Sequence, residues 1–247
     1  MNNVTNLKTS LAGRLRNTNL PKSDALLPLF EAVVNSIHAI DERIEGDETF
    51  TMLDACIKVL FVRSAQQNTD GSQPPITGFI VEDNGIGMND ANYDSFQWLD
   101  STYKEAKGCK GVGRLLWLKA FDTVRISSVY KKEDALLSRK FIFSNQGISE
   151  TAEAGAAEGA TIGTTVELCY IKKDYYDAIP KKTDTIAKKL VEHCLWYSVR
   201  EGGAPRIVIQ DGEDAANLDY VKDEFLHDNS KCDSVKVKDF DFGDDFW

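Results

Sequence analysis

The sequence predicts an α+β fold: a mixed, mostly antiparallel sheet with helices over one face. Three observations carry the prediction. The stretches 24–44 and 183–200 repeat apolar residues at helical spacing. Six shorter runs, at 54–63, 76–83, 122–130, 137–144, 161–171 and 205–211, have the length and composition of strands. Gly, Pro, Asn and Asp cluster between these runs and mark the turns.

The elements follow in chain order. Residues 1–22 are polar, end at Pro21 and read as an arm before the first firm element. Leu26, Leu29, Phe30, Val33, Val34, Ile37 and Ile40 form the apolar stripe of a helix over 24–44, with Ser23 or Asp24 as its cap and Pro28 early enough to be tolerated. The strands 54–63 and 76–83 flank a Gln-, Asn- and Pro-rich loop at 64–75 and are expected to form a hairpin; the second stops at Asn84-Gly85. Residues 89–113 lack steady periodicity and read as a mobile segment, before a short helix at 114–121. Strands 122–130 and 137–144 come next, then a small, polar loop at 149–160 and a strand at 161–171. The helix 183–200, with Thr183 as cap, is terminated by Gly202-Gly203 and followed by strand 205–211. This gives an arm (1–22), a main domain (23–180) and an extension (181–247) that either completes that domain or begins another. The acidic end, DFGDDFW, reads as a truncation that hides an effector domain.

Composition narrows the function classes. Of 247 residues, 42% are hydrophobic and 28% charged, the balance of a globular chain. No apolar run approaches a membrane span, and the N-terminus lacks a signal-peptide pattern, so the expected location is the cytoplasm. The five cysteines are scattered and odd in number, which argues against a disulfide framework or a zinc site. The net charge of -10 disfavours direct nucleic-acid binding by this domain, because phosphate contacts need Lys/Arg clusters.

Three short motifs carry chemistry. On the first helix, Glu31-x-x-x-Asn35-Ser36-x-x-Ala39 sets a carboxylate and an amide four residues apart, hence on one face. Such a pair suits a water nucleophile and a hard cation: Glu31 takes a proton and Asn35 offers Mg²⁺ an oxygen. Asp83-Asn84-Gly85-Ile86-Gly87-Met88 follows an apolar strand directly. A carboxylate there, partly buried, needs donors, and the exocyclic amine of adenine is one. Gly108-Cys109-Lys110-Gly111-Val112-Gly113-Arg114 opens onto a helix, whose N-terminal amides and dipole favour phosphate. It is neither a Walker A loop nor a dinucleotide fingerprint.

Taken together, the motifs resemble the GHKL ATPases, the superfamily of gyrase B, Hsp90, sensor histidine kinases and MutL. Glu31-x-x-x-Asn35-Ser36-x-x-Ala39 is similar to their N box, Asp83-Asn84-Gly85-Ile86-Gly87 to their adenine motif, and Gly108 to Gly113 to their second glycine box. Gly163-Thr164-Thr165-Val166-Glu167 resembles a stretch of MutL-like proteins, and Asp100-Ser101-Thr102-Tyr103-Lys104 more loosely their lid.

The resemblance implies the Bergerat fold, with ATP and Mg²⁺ as ligands. It makes Glu31 the general base and Asn35 the Mg²⁺ ligand, and it gives the adenine amine to Asp83. Gly85, Gly87 and Met88 shape the base pocket, with Thr164 behind it. Gly108, Lys110, Gly111, Val112, Gly113 and Arg114 meet the phosphates. Residues 89–113, with Ser101, Thr102 and Lys104, form the lid. The implied function is a slow, Mg-dependent ATPase whose lid closure and ATP-dependent homodimerisation drive a larger assembly in DNA transactions, stress or defence. The alternative is a nucleotide-gated interaction module with little hydrolysis. Glu31 favours the ATPase, since the histidine kinases carry Asn there. His38 stands where these families commonly carry Asp, so the second shell of the cation is expected to differ.

Overall fold

The structure is a computed structural model that describes residues 10–65, 74–99, 113–150, 153–211 and 214–217. It is an α+β fold built on one mixed, mostly antiparallel sheet. The strands are β1 (Cys56–Arg63), β2 (Ile76–Asp83), β3 (Phe121–Lys132), β4 (Ala135–Ser144), β5 (Gly147–Glu150), β6 (Ala154–Gly155), β7 (Gly163–Ile171), β8 (Arg206–Asp211) and β9 (Asp214–Asn217). Their order is β5-β4-β3-β7-β2-β1-β8-β9, with β6 on β4. The expected β1–β2 hairpin is present, antiparallel, with Val59 opposite Val81 and Phe61 opposite Phe79. β8 runs parallel to β1 and pairs β9, so these two strands of the extension share the sheet of the main domain.

Period-2 alternation puts one apolar face on this sheet. Opposed across neighbouring strands are Ile209, Val59, Val81, Val166, Ile126 and Phe141, all buried. Helix α2 (Leu27–Gly46) lies over that face and buries Leu29, Val33, Ile37 and Ile40 completely. Each such side chain contributes about 1.5–3 kcal/mol. Helices α4 (Gly113–Ala120) and α6 (Thr183–Val199) add Leu118, Ile186 and Leu190 to the same core. The opposite face carries Lys58, Leu60, Arg125 and Ile142, which are partly or well exposed.

Several details differ from the sequence reading. The segment read as an arm holds a short helix, α1 (Leu11–Asn17), capped by Ser10. Lys119 donates to the Leu15 carbonyl at 3.0 Å and fastens α1 to α4. Ser23 and Asp24 do not cap α2; they lie in a 3-10 turn, and Leu26 is the N-cap without a side-chain bond. Thr183 donates to Asp211 at 3.0 Å instead of capping α6. Residues 149–160 are not all loop, because β5 and β6 add short strands to the sheet edge. Within 89–113, helix α3 (Asp90–Gln97) is capped by Asn89. Its apolar anchors are only Tyr93 and Phe96, too few to register as periodicity, yet Phe96 meets Trp117, Phe141 and Phe143. The short helix α5 (Lys173–Tyr176) completes the set.

Candidate functional site

Helix α2 brings the motifs together. From its N-terminal half Glu31 reaches the start of α4, where a methyl group on Gly113 would overlap the Glu31 carboxylate. Asn35 is exposed one turn on. Ser36, next along and buried, donates to Asp83 Oδ2 at 2.7 Å. Ala39 accepts the amide of Ile86 at 2.9 Å, and Arg43 donates to the Asn84 carbonyl at 2.7 Å. A single helix therefore carries the N box and touches the Asp83 loop and Gly113, the last glycine of the glycine box.

The Asp83 end is bonded throughout. Asp83 Oδ1 accepts the Gly85 amide at 2.9 Å, so both carboxylate oxygens have partners. These donors fix its rotamer. Gly85 is required by close approach: a Cβ would stand 2.6 Å from the Ala39 carbonyl carbon. Gly87 has φ +81°, the left-handed region that favours glycine. Thr164 lies directly across from Asp83 in the β2–β7 ladder and is buried. Its hydroxyl is 3.0 Å from that of Ser128, which also accepts the Met88 amide and donates to the Gly163 carbonyl, each at 2.8 Å. Asp83, Gly85, Gly87, Met88 and Thr164 thus lie in one hydrogen-bonded neighbourhood.

The Glu31 end is different. Among the described residues the Glu31 carboxylate has no hydrogen-bond or ion-pair partner, and neither has the Asn35 amide. Burial without compensating donors raises the Glu31 pKa above its ordinary 4.5. That moves a carboxylate toward the range of a general base working near neutral pH.

Arg114 is not turned to Glu31. Its guanidinium donates to the Ser95 carbonyl at 3.2 Å and to that of Trp98, and it lies over the Phe96 ring, so it ties α4 to α3. Ser101, Thr102, Lys104, Gly108, Lys110, Gly111 and Val112 lie outside the described residues. His38 is buried and shares a 2.9 Å hydrogen bond with the Tyr197 hydroxyl. One turn on, Arg200 grips Asp41 bidentately at 2.7 and 2.8 Å. His38 therefore serves the α2–α6 contact. A cavity of about 480 Å³ on that side is lined by His38, Asp41, Trp196, Tyr197 and Arg200, and takes none of the proposed site residues.

Sequence reasoning missed the polar residues that hold the site. Ser128 carries a signal: it occupies the inward phase of β3 that Val124, Ile126 and Tyr130 otherwise fill. Ser36 sits in the same way among the inward residues of α2. The roles of Asn84 and Arg43 have no local signal, since their partners are distant in sequence. Compared with known proteins, the chain matches no family model and no curated protein significantly.

Proposed function

We propose that this chain is an ATP-binding, Mg-dependent ATPase module of the GHKL type. One observation carries the reading: a single helix holds a half-buried carboxylate, unpaired among the described residues, against the glycine that opens α4, while a later turn fixes the aspartate at the end of β2. The resemblance names the same residues in the same roles.

The chain's own groups fit such ligands. Asp83 accepts from Ser36 and Gly85, and a carboxylate has room for a further donor such as the adenine amine. Thr164 and Ser128 form a bonded hydroxyl pair next to it. Asn35, exposed one turn from Glu31, offers an amide oxygen suited to Mg²⁺. Magnesium, when bound, neutralises charge on the phosphates and the leaving group. Glu31, with its raised pKa, takes the proton of the attacking water. Arg114 acts at a distance by anchoring the helix whose N-terminus faces the phosphates. Nucleotide-driven homodimerisation and a coupled effector belong to the same proposal.

The test is equilibrium ATP binding with and without Mg²⁺, followed by single-turnover hydrolysis. Glu31→Ala is expected to bind ATP and lose turnover; Asp83→Asn is expected to lose binding. Normal ATP binding by Asp83→Asn would defeat the adenine assignment. Turnover too slow to depend on Glu31 would favour the nucleotide-gated interaction module.

A further inference from the structure

Between Asp83 and Gly85 stands a residue whose side chain turns to the start of β1. Asn84 Oδ1 accepts the Cys56 amide at 2.9 Å, and Asn84 Nδ2 donates to the Asp54 carbonyl at 2.8 Å. The amide orientation is unambiguous, because one partner is a donor and the other an acceptor. The Asn84 carbonyl accepts from Arg43 at 2.7 Å, and Arg43 is itself stacked over Phe50 at 4.0 Å. The residue is thus pinned from the turn that starts β1 and from α2.

We infer that Asn84 is a positioning residue that sets base affinity and base selectivity at Asp83, through its bonds to Asp54 and Cys56. The inference rests on the proposed ATP site. The step from Asn84 to Asp83 is short. The two are consecutive, and the amide of Gly85, the next residue, donates to the Asp83 carboxylate. A shift at Asn84 moves that amide and releases the rotamer. Asn satisfies both groups of the 54–56 turn at once. Aspartate would accept from Cys56 but would face the Asp54 carbonyl with a second acceptor, so even this isosteric change breaks the anchor. Alanine would leave both backbone groups unanswered. Glu31 lies at the other end of the helix, so the proton-transfer machinery is untouched.

The experiment compares wild type with Asn84→Asp and Asn84→Ala. ATP and GTP affinities are read by calorimetry, kcat at saturating ATP, and folding by circular dichroism. The expected result is about a ten-fold rise in the Kd for ATP, a smaller preference for ATP over GTP, and an unchanged kcat. A residue that merely supports the fold would lower kcat and Kd performance together and leave the ATP-to-GTP ratio alone. Variants that bind ATP as wild type does, or that lose kcat with Kd unchanged, overturn the inference. Where Asn84→Asp does not fold, Arg43→Gln loosens the same loop from its other side; an unchanged Kd and base preference in that variant overturn the inference too. Wild type that fails to bind ATP defeats the underlying site instead, so the two failures are distinguishable.

Discussion

The two ends of the proposed site hold their carboxylates in opposite ways. At Asp83, Ser36 and the Gly85 amide satisfy both oxygens, and Asn84, Arg43, Ser128 and Thr164 brace the surrounding loop. At Glu31, burial raises the pKa and no described residue answers the charge. A recognition group gains from a fixed geometry, since order built into the fold is not lost again on binding. A general base gains from the reverse, because donors to its anion would lower its basicity. Under the proposed function, the contrast fits binding at the braced end and proton transfer at the unbraced one.

Substitutions that separate the ends test this division. The largest effect is expected from Glu31→Gln, which should lower single-turnover hydrolysis by roughly 10²–10⁴-fold while ATP affinity holds. Lost affinity with retained turnover would reverse the assignment. Next, Asp83→Asn should weaken ATP binding about ten- to hundred-fold, since it sets an amide NH₂ among existing donors. Smaller, Gly85→Ala should cost about 1–3 kcal/mol in unfolding free energy, because the new methyl meets the α2 backbone. A Tm equal to wild type would show that the Asp83 loop is looser than its bonds indicate.

The smallest effect concerns pH. The folded state raises the Glu31 pKa above 4.5, so the stability that this group contributes is present below pH 4.5. It is lost as pH rises through the raised value, where the buried carboxylate ionises. Glu31→Gln should therefore melt higher than wild type at neutral pH, with the gap closing toward pH 4.5. A gap that widens on acidification would mean that Glu31 is stabilised as an anion. The hydrolysis rate should rise with pH across the same window, as the base loses its proton.

Much of this was legible in the chain. The stripe from Leu29 to Ile40 announced α2, and β2 has the predicted bounds, Ile76–Asp83. Both signals are strong because a buried face imposes its period on every turn or pair of residues. Glu31, Asn35 and Asp83 stood out as polar residues on or beside apolar faces. Helix α3 escaped notice because two aromatic residues suffice to anchor it once β4 supplies Phe141 and Phe143. Thr183 looked like a helix cap, but it donates to Asp211, a partner that β8 brings from far along the chain.

The sequence by itself determined the elements, their apolar faces and the residue types available for chemistry, since propensity and periodicity are local. Only the tertiary structure decided that Glu31 meets Gly113, that Ser36 and Asn84 brace the Asp83 loop, and that His38 turns to Tyr197. Such contacts join residues far apart along the chain, and no local pattern encodes a partner that arrives only when the sheet and α2 have packed.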